Sequence, residues 1–211
     1  VRRTRSLDRA YFETLYRADP DPWRFATSDY EAAKYARTLS VVAEERVSRA
    51  LEMGCSIGVF TQRLAALCEE VVATELSPTA LAQARRRCED LANVRFVLAR
   101  DVSEGIEGPF DLMVLSEVVY YWDDDDLAAI AEAIGRALTP GGRLLLVHWL
   151  GETDYPRSAD DAVSALRERV GPYTRVVLET RTEDYRLDLW RRLPAVSPPR
   201  REGRIGGQMM R

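Results

Sequence analysis

The stretch Leu51 to Ala66, LEMGCSIGVFTQRLAA, constrains the fold of this chain more than any other. An apolar run (Val47, Ala50, Leu51, Met53) leads into two glycines, Gly54 and Gly58, with only small or apolar residues between them. Phe60, Leu64 and Leu67 then fall at i, i+4 and i+7, the spacing of one helix face. Strand, glycine turn, helix is the unit in which backbone N–H groups at a helix N-terminus face a bound ligand.

The rest of the chain extends that unit. Upstream, helical spacing runs from about Ser6 to Arg17 (Leu7, Ala10, Tyr11, Leu15). A stiff turn at Asp19-Pro-Asp-Pro-Trp23 follows, and a second helix through Tyr30, Ala33, Arg37 and Val41, capped by Ser28 or Asp29. Downstream, strand and helix alternate. Val71 to Thr74 is a strand ending at Glu75, and Ser77-Pro78 opens a helix with Leu81, Ala84, Cys88 and Leu91 inward. Val94 to Leu98 and Phe110 to Leu115 are strands, and Leu127, Ile130, Ile134 and Leu138 mark a helix. Thr139-Pro-Gly-Gly142 stops that helix, and LLLVHWL is the fifth strand, ending near Leu150. Ala162, Leu166 and Val170 predict a last helix, and Thr174 to Glu179 and Tyr185 to Trp190 the last strands. Alternation implies a mostly parallel sheet covered on both faces. The short link between the last two strands cannot be a parallel crossover, so they form an antiparallel hairpin at the sheet edge. The expected fold is therefore α/β, a Rossmann-like doubly wound sheet of seven strands with an N-terminal helical cap.

At 211 residues the chain suits one domain over 1–192, with the cap at 1–45, the core at 46–192 and a disordered tail at 193–211. The net charge of −4 carries no nucleic-acid footprint. No apolar run approaches the roughly 18 residues of a membrane span, and the N-terminal VRRTRSLDRAYF has no apolar signal segment. Cys55, Cys68 and Cys88 are odd in number and read as thiols in a reducing compartment, so the expected location is the cytoplasm. Arginine supplies almost all the positive charge; Lys34 is the only lysine and His148 the only histidine.

In a doubly wound sheet, ligands bind beyond the carboxyl ends of the strands. Roughly twenty residues after the glycine turn, Glu75 ends the second strand, where a carboxylate accepts both hydroxyls of a ribose. The spacing G-C-S-I-G does not fit the G-x-G-x-x-G that admits a pyrophosphate, and Glu52 at the first strand end suits a ligand with a positive charge. A charged nucleoside thus fits better than the dinucleotide of an oxidoreductase.

Those residues carry a family resemblance. The run Glu52 to Gly58, the acidic end at Glu75, Asp101 after the third strand, FDLMVLSE in the fourth and L-T-P-G-G before the fifth occur in an ordered set. From about Val47 to Leu150 the chain resembles the class I S-adenosylmethionine-dependent methyltransferases, with Ser56 in place of a frequent third glycine. DPDPWRFATSDYEAAKYARTL, GCSIGVFTQRLA and LSEVVYYWDD further resemble the nodulation S family, N-methyltransferases of de-N-acetylated chitooligosaccharides, and HWLGETDYP is similar to their corresponding segment. Ser164 departs from it, where a histidine is expected in those relatives.

The resemblance implies S-adenosylmethionine as cofactor and a small-molecule or oligosaccharide acceptor, with neither nucleic acid nor membrane as partner. It also implies a sugar deacetylase or glycosyltransferase in the same pathway. Gly54, Cys55 and Gly58 would surround the methionine portion and Glu52 its ammonium. Glu75 would hold the ribose, Leu76 pack on the adenine, and Asp101 with Val102 read its amino edge. Ser116 would lie near the methyl group; Trp23 and Lys34 would close over the cofactor, Lys34 meeting its carboxylate. Glu117 and His148 are the first candidates to orient the acceptor or take its proton, with Tyr120, Tyr121 and Asp154 beside them. Tyr120, Tyr121 and Trp149 are an aromatic wall or core, and Asp123 to Asp126 favour a helix dipole rather than a metal. An O-methyltransferase of natural-product biosynthesis and a cofactor-binding module without turnover are the alternatives.

Overall fold

In a computed structural model, residues 1–194 are described; the predicted tail lies, from residue 195 on, outside the described residues. Two helices, α1 (Arg9–Ala18) and α2 (Asp29–Val42), precede the sheet. Then come β1 (Val47–Met53), α3 (Val59–Leu64), β2 (Cys68–Glu75), α4 (Pro78–Arg87), β3 (Val94–Leu98) and β4 (Phe110–Ser116). The chain ends through α5 (Asp124–Ala137), β5 (Leu138–Trp149), α6 (Ala159–Val170), β6 (Thr174–Arg181) and β7 (Tyr185–Arg192).

The seven strands lie in the order β3-β2-β1-β4-β5-β7-β6. The first five are parallel, and β7 runs antiparallel between β5 and β6, so the hairpin closes one edge as its short link requires. The parallel strands are apolar on both faces, with Leu51, Val72, Met113, Leu115 and Leu145 fully buried. From β1 the chain moves to β2 in one direction and, through β4, to β5 in the other. Right-handed crossovers therefore put α3 and α4 on one face and α5 on the other, opening a crevice beyond the ends of β1 and β4.

Local chemistry sets most boundaries. Asp8, Ser28, Ser77, Asp123 and Ser158 each cap a helix through a side-chain oxygen, so α1 begins after Asp8 rather than at Ser6. The fifth strand starts earlier than its sequence suggests: Leu138 leaves α5 directly into pairing with Phe110, and a register shift before Leu112 absorbs the Thr139-Pro-Gly-Gly142 segment. The inward face of α1 is Phe12 and Tyr16, not the Ala10 and Leu15 that apolar spacing picks out; Ala10 is exposed. In α2, Glu31, Lys34, Tyr35 and Thr38 turn inward while Ala33 and Arg37 face solvent.

Buried Arg143 on β5 explains how α2 is held. Its guanidinium donates to the carbonyls of Val42 and Glu45 at 3.1 and 3.0 Å, satisfying acceptors that the helix end leaves open. Gly58 fixes the other packing contact, with φ +80° and a position where a Cβ would stand 2.8 Å from the Ala84 backbone in α4. Gly58→Ala is therefore expected to lower stability by about 1–3 kcal/mol. Urea unfolding checks this, and an unchanged midpoint would mean that α3 and α4 separate at no cost.

Candidate active site

The glycine turn is tied to the end of β2. The N–H groups of Gly54 and Cys55 both donate to the Thr74 carbonyl at 2.9 Å, and that of Ser56 donates to a Glu75 carboxylate oxygen at 2.8 Å. The other Glu75 oxygen accepts from the Ser77 N–H at 2.8 Å. Gly54 (φ +73°) has no room for a side chain, since a Cβ would meet Val118 at 2.6 Å. Ser56, where the methyltransferase pattern often has glycine, also adopts a left-handed conformation (φ +52°). That costs about 1–2 kcal/mol for a residue with a Cβ, offset here by the bond to Glu75 and by the Tyr16 hydroxyl donating to its Oγ.

Over this turn lies a cavity of about 910 Å³ including its open mouth. Its floor is the end of β1 and the turn, Glu52 to Ile57; one wall is Glu75, Leu76, Asp101 and Val102; the other is Ser116, Glu117, Val118 and Tyr121. The roof is aromatic and comes from the cap: Phe12, Tyr16, Trp23, Phe25 and Tyr35. Trp23 stacks on Phe25 with centroids 5.5 Å apart, and Tyr35 reaches Phe60 of α3 at 5.3 Å. The Glu13 carboxylate latches α1 to the start of α4, accepting from Ser77 Oγ at 2.7 Å, Thr79 N at 3.1 Å and Thr79 Oγ1 at 2.8 Å. Burial opposes its ionisation, but the Ser77 and Thr79 bonds prevail and hold its pKa at about 2.

Two carboxylates on the floor differ in what they lack. Glu75 is buried, which pushes its pKa up against the pull of its backbone bonds. Glu52 is also buried, and its Oε2 has no partner among the described residues. Burial raises its pKa to about 7, with the Thr61 hydroxyl opposing and the Glu75 charge adding. An orphaned carboxylate oxygen in a cavity wall fits a cationic ligand group.

At the far end stands Glu117, in the left-handed region (φ +57°) just beyond β4. It accepts from Lys34 Nζ at 2.6 Å, the Tyr120 hydroxyl at 2.5 Å and the Trp149 N–H at 2.9 Å. Burial works against its charge, yet Lys34 and these bonds bring its pKa below the ordinary value.

Of the residues singled out in the sequence, Trp23, Glu52, Gly54, Cys55, Glu75, Leu76, Asp101, Val102, Ser116, Glu117 and Tyr121 line the cavity. Asp101 commits one oxygen to an Asx-type turn, accepting from Ser103 and Glu104. Gly58, Lys34, Tyr120, His148, Trp149 and Asp154 do not line it. Gly58 acts through backbone conformation and helix packing. Lys34 was expected at a cofactor carboxylate; instead its ammonium is buried between Glu31 and Glu117. Tyr120 is buried behind Glu117 rather than facing an acceptor.

His148 is the largest revision. It is fully buried, its Nε2 accepts from the Val119 N–H at 3.2 Å, and burial pulls its pKa down to about 4. With its acceptor nitrogen committed, it holds the short 3-10 turn Val119–Tyr121 rather than serving as a base. Asp154 is at the surface, paired with Arg3 at 3.1 Å. Sequence reasoning missed Phe12, Tyr16, Phe25 and Tyr35. The i, i+4 pair Phe12 and Tyr16 was a usable signal, hidden by counting only the aliphatic stripe.

The profile of the family described as Nodulation protein S (NodS) matches residues 12–149. The chain belongs to the NodS family. A curated NodS of Rhizobium tropici is 35% identical over 132 residues, covering 61% of this chain and 55% of that protein. The chain spans 50–60% of the length of the curated NodS relatives from R. tropici, Sinorhizobium fredii and Bradyrhizobium diazoefficiens. Among solved structures, the N-methyltransferase NodS of Bradyrhizobium japonicum, in complex with S-adenosyl-L-homocysteine, superposes with a TM-score of 0.74 at 23% identity, covering 86% of this chain and 97% of that one; it shows the shared fold. A Pseudomonas syringae protein designated a methyltransferase is 34% identical with a TM-score of 0.68, covering 77% and 99%. The NodS-matched span holds every residue that lines the cavity; α6 and the β6–β7 hairpin fall outside it.

The buried Glu52 gives a pH-dependent prediction. Its folded pKa lies above the unfolded value of 4.5, so its contribution to stability is complete below about pH 4.5 and is lost as pH rises through about 7. Relative to the wild type, Glu52→Gln should gain roughly 3 kcal/mol of stability between pH 4.5 and pH 8. Urea unfolding at both pH values measures it; a wild-type-to-variant difference that stays constant contradicts the assignment.

Proposed function

We propose that this chain is an S-adenosylmethionine-dependent N-methyltransferase acting on an amino sugar or similar small amine. The observation that carries the reading is the unpartnered Glu52 oxygen in the floor of the cavity, beside a glycine turn and the Glu75 carboxylate. Membership of the NodS family supports the acceptor class.

The residues present fit the cofactor. Glu52 would take its ammonium and Gly54 and Cys55 border its methionine portion, while Glu75, already anchored by two backbone N–H groups, has lone pairs left for two ribose hydroxyls. Leu76 and Val102 supply apolar surface for a purine, the second oxygen of Asp101 can accept from its amino group, and Trp23 closes the roof. When bound, the cofactor supplies an electrophilic methyl on a sulfonium sulfur. The protein's part is to orient a neutral nucleophile and exclude water. Ser116 and Glu117, at the end of β4, face the space where the acceptor would enter. Glu117 is held as an anion there; it would orient the amine by accepting an N–H and take the proton that the nitrogen sheds after alkylation. An amine carries its own lone pair, so a stronger base is not needed. A sugar deacetylase acting in the same pathway would supply such an amine.

Two measurements test this. Calorimetry with S-adenosylhomocysteine should show binding that Glu75→Ala weakens about 10–100-fold; unchanged affinity would remove the ribose assignment. Wild-type protein should form S-adenosylhomocysteine with deacetylated chitooligosaccharides or amino sugars and not with their N-acetylated forms. Product with hydroxyl acceptors alone would instead identify an O-methyltransferase, and tight binding without product on either panel a binding module.

A further inference from the structure

Lys34 comes from the cap, 83 residues before Glu117, and is 2% exposed. Its ammonium donates to Glu31 Oε1 at 2.9 Å and to Glu117 Oε1 at 2.6 Å, and lies 5.2 Å from the centre of the Tyr30 ring. Two carboxylates and an aromatic face therefore account for its three N–H bonds. Glu117 is fixed just as fully, its second oxygen held by Tyr120 and by the Trp149 backbone. Glu31 is the loose end: it is buried, but its Oε2 has no partner among the described residues, nor has the hydroxyl of Tyr30.

We propose that Lys34 is a positioning residue for the transfer step: shared between Glu31 and Glu117, it fixes the Glu117 carboxylate at the acceptor end of the cavity. This inference rests on the methyl-transfer reading for what Glu117 does, though not for how Glu117 is held. The charge balance is the working part. A lysine paired with Glu117 alone would hold that carboxylate so strongly that it could accept little from an amine. Glu31 draws part of the ammonium toward itself and leaves Glu117 ionised but still a usable acceptor. Burial pulls Lys34 toward neutrality, but Glu117 and Glu31 together keep it charged; burial pushes Glu31 up, with Lys34 opposing. The other groups facing Glu117 do not titrate near neutrality. Burial pushes Tyr30 on α2 up to about 12 and raises Tyr35 on α2 and Tyr120 and Tyr121 on the 3-10 turn well above their ordinary value, and it pulls His148 on β5 down to about 4. Asp184, before β7, bears on the cluster through Tyr30.

The two cap residues should thus act on Glu117 in opposite directions. In protein carrying ¹³C-labelled glutamate side chains, with the Glu117 signal assigned by its loss in Glu117→Gln, Lys34→Met should move the Glu117 titration up by about 1–3 pH units. Glu31→Gln should move it down, and Lys34→Arg, which keeps the cation, should leave it low. Turnover should fall about 100-fold in Lys34→Met and recover in Lys34→Arg, while S-adenosylhomocysteine affinity changes less than about threefold. If Lys34→Met does not fold, Lys34→Gln removes the same charge and is read against Glu31→Gln in its place. A Glu117 titration that moves the same way in every variant, or does not move, overturns the positioning role, as does a parallel loss of S-adenosylhomocysteine affinity. Because the carboxylate titration needs neither cofactor nor acceptor, it decides this point even if the methyl-transfer assignment fails.

Discussion

The end of β2 organises the site by gripping the turn that follows β1. One carbonyl, Thr74, takes two N–H groups of the turn, and the Glu75 carboxylate takes a third. These donors would otherwise be left open at the start of α3, where the chain is too tightly turned to satisfy them internally. The same grip forces the left-handed conformations of Gly54, Ser56 and Gly58, so the glycines follow from the hydrogen bonding rather than the reverse. Glu52, at the end of β1, keeps one carboxylate oxygen without a partner among the described residues. A buried carboxylate with an open oxygen thus stands in the cavity floor, a fit for a cationic group.

The cap depends on the turn in its own way. Tyr16 reaches Ser56, Glu13 seizes the α4 N-terminus, and Tyr35 packs on Phe60, so α1 and α2 dock on elements whose positions the turn has set. At its other end α2 is held by Arg143, and in its middle by Lys34. A roof fastened at points this far apart encloses a cavity without filling it. The aromatic side chains of the cap meet one another in a row, Tyr16 edge-on to Trp23, Trp23 stacked on Phe25 and Phe25 tilted against Tyr35.

What the sequence made legible divides along the same line. The mostly parallel seven-stranded sheet, the edge hairpin and the floor of the cavity were readable, because strand periodicity, caps and the glycine turn are local signals within ten or so residues. The inward faces of α1 and α2 were not. Apolar spacing chose Ala10 and Ala33, both exposed, over Tyr16 and Lys34, because periodicity assumes that a helix buries its aliphatic stripe. These helices bury polar and aromatic side chains instead, each with a specific distant partner. His148 misled for a related reason: its place near a strand's carboxyl end suggested chemistry, while its function is set by the Val119 N–H, which no local pattern announces.

The two halves of the site therefore answer to different physics. The floor needs a backbone conformation, and a conformation leaves its mark on the residues that adopt it. The Glu117 end holds a charge in place, and any residue able to reach can hold it. Glu117 sits at a strained φ because four tethers meet there: its own N–H bonded to Val147, the ammonium of Lys34, the Tyr120 hydroxyl and the Trp149 N–H. Three of those partners come from α2 and β5, elements with no sequence proximity to β4. The carboxylate of Glu117 is therefore held from α2 and β5, while the turn is held from β2.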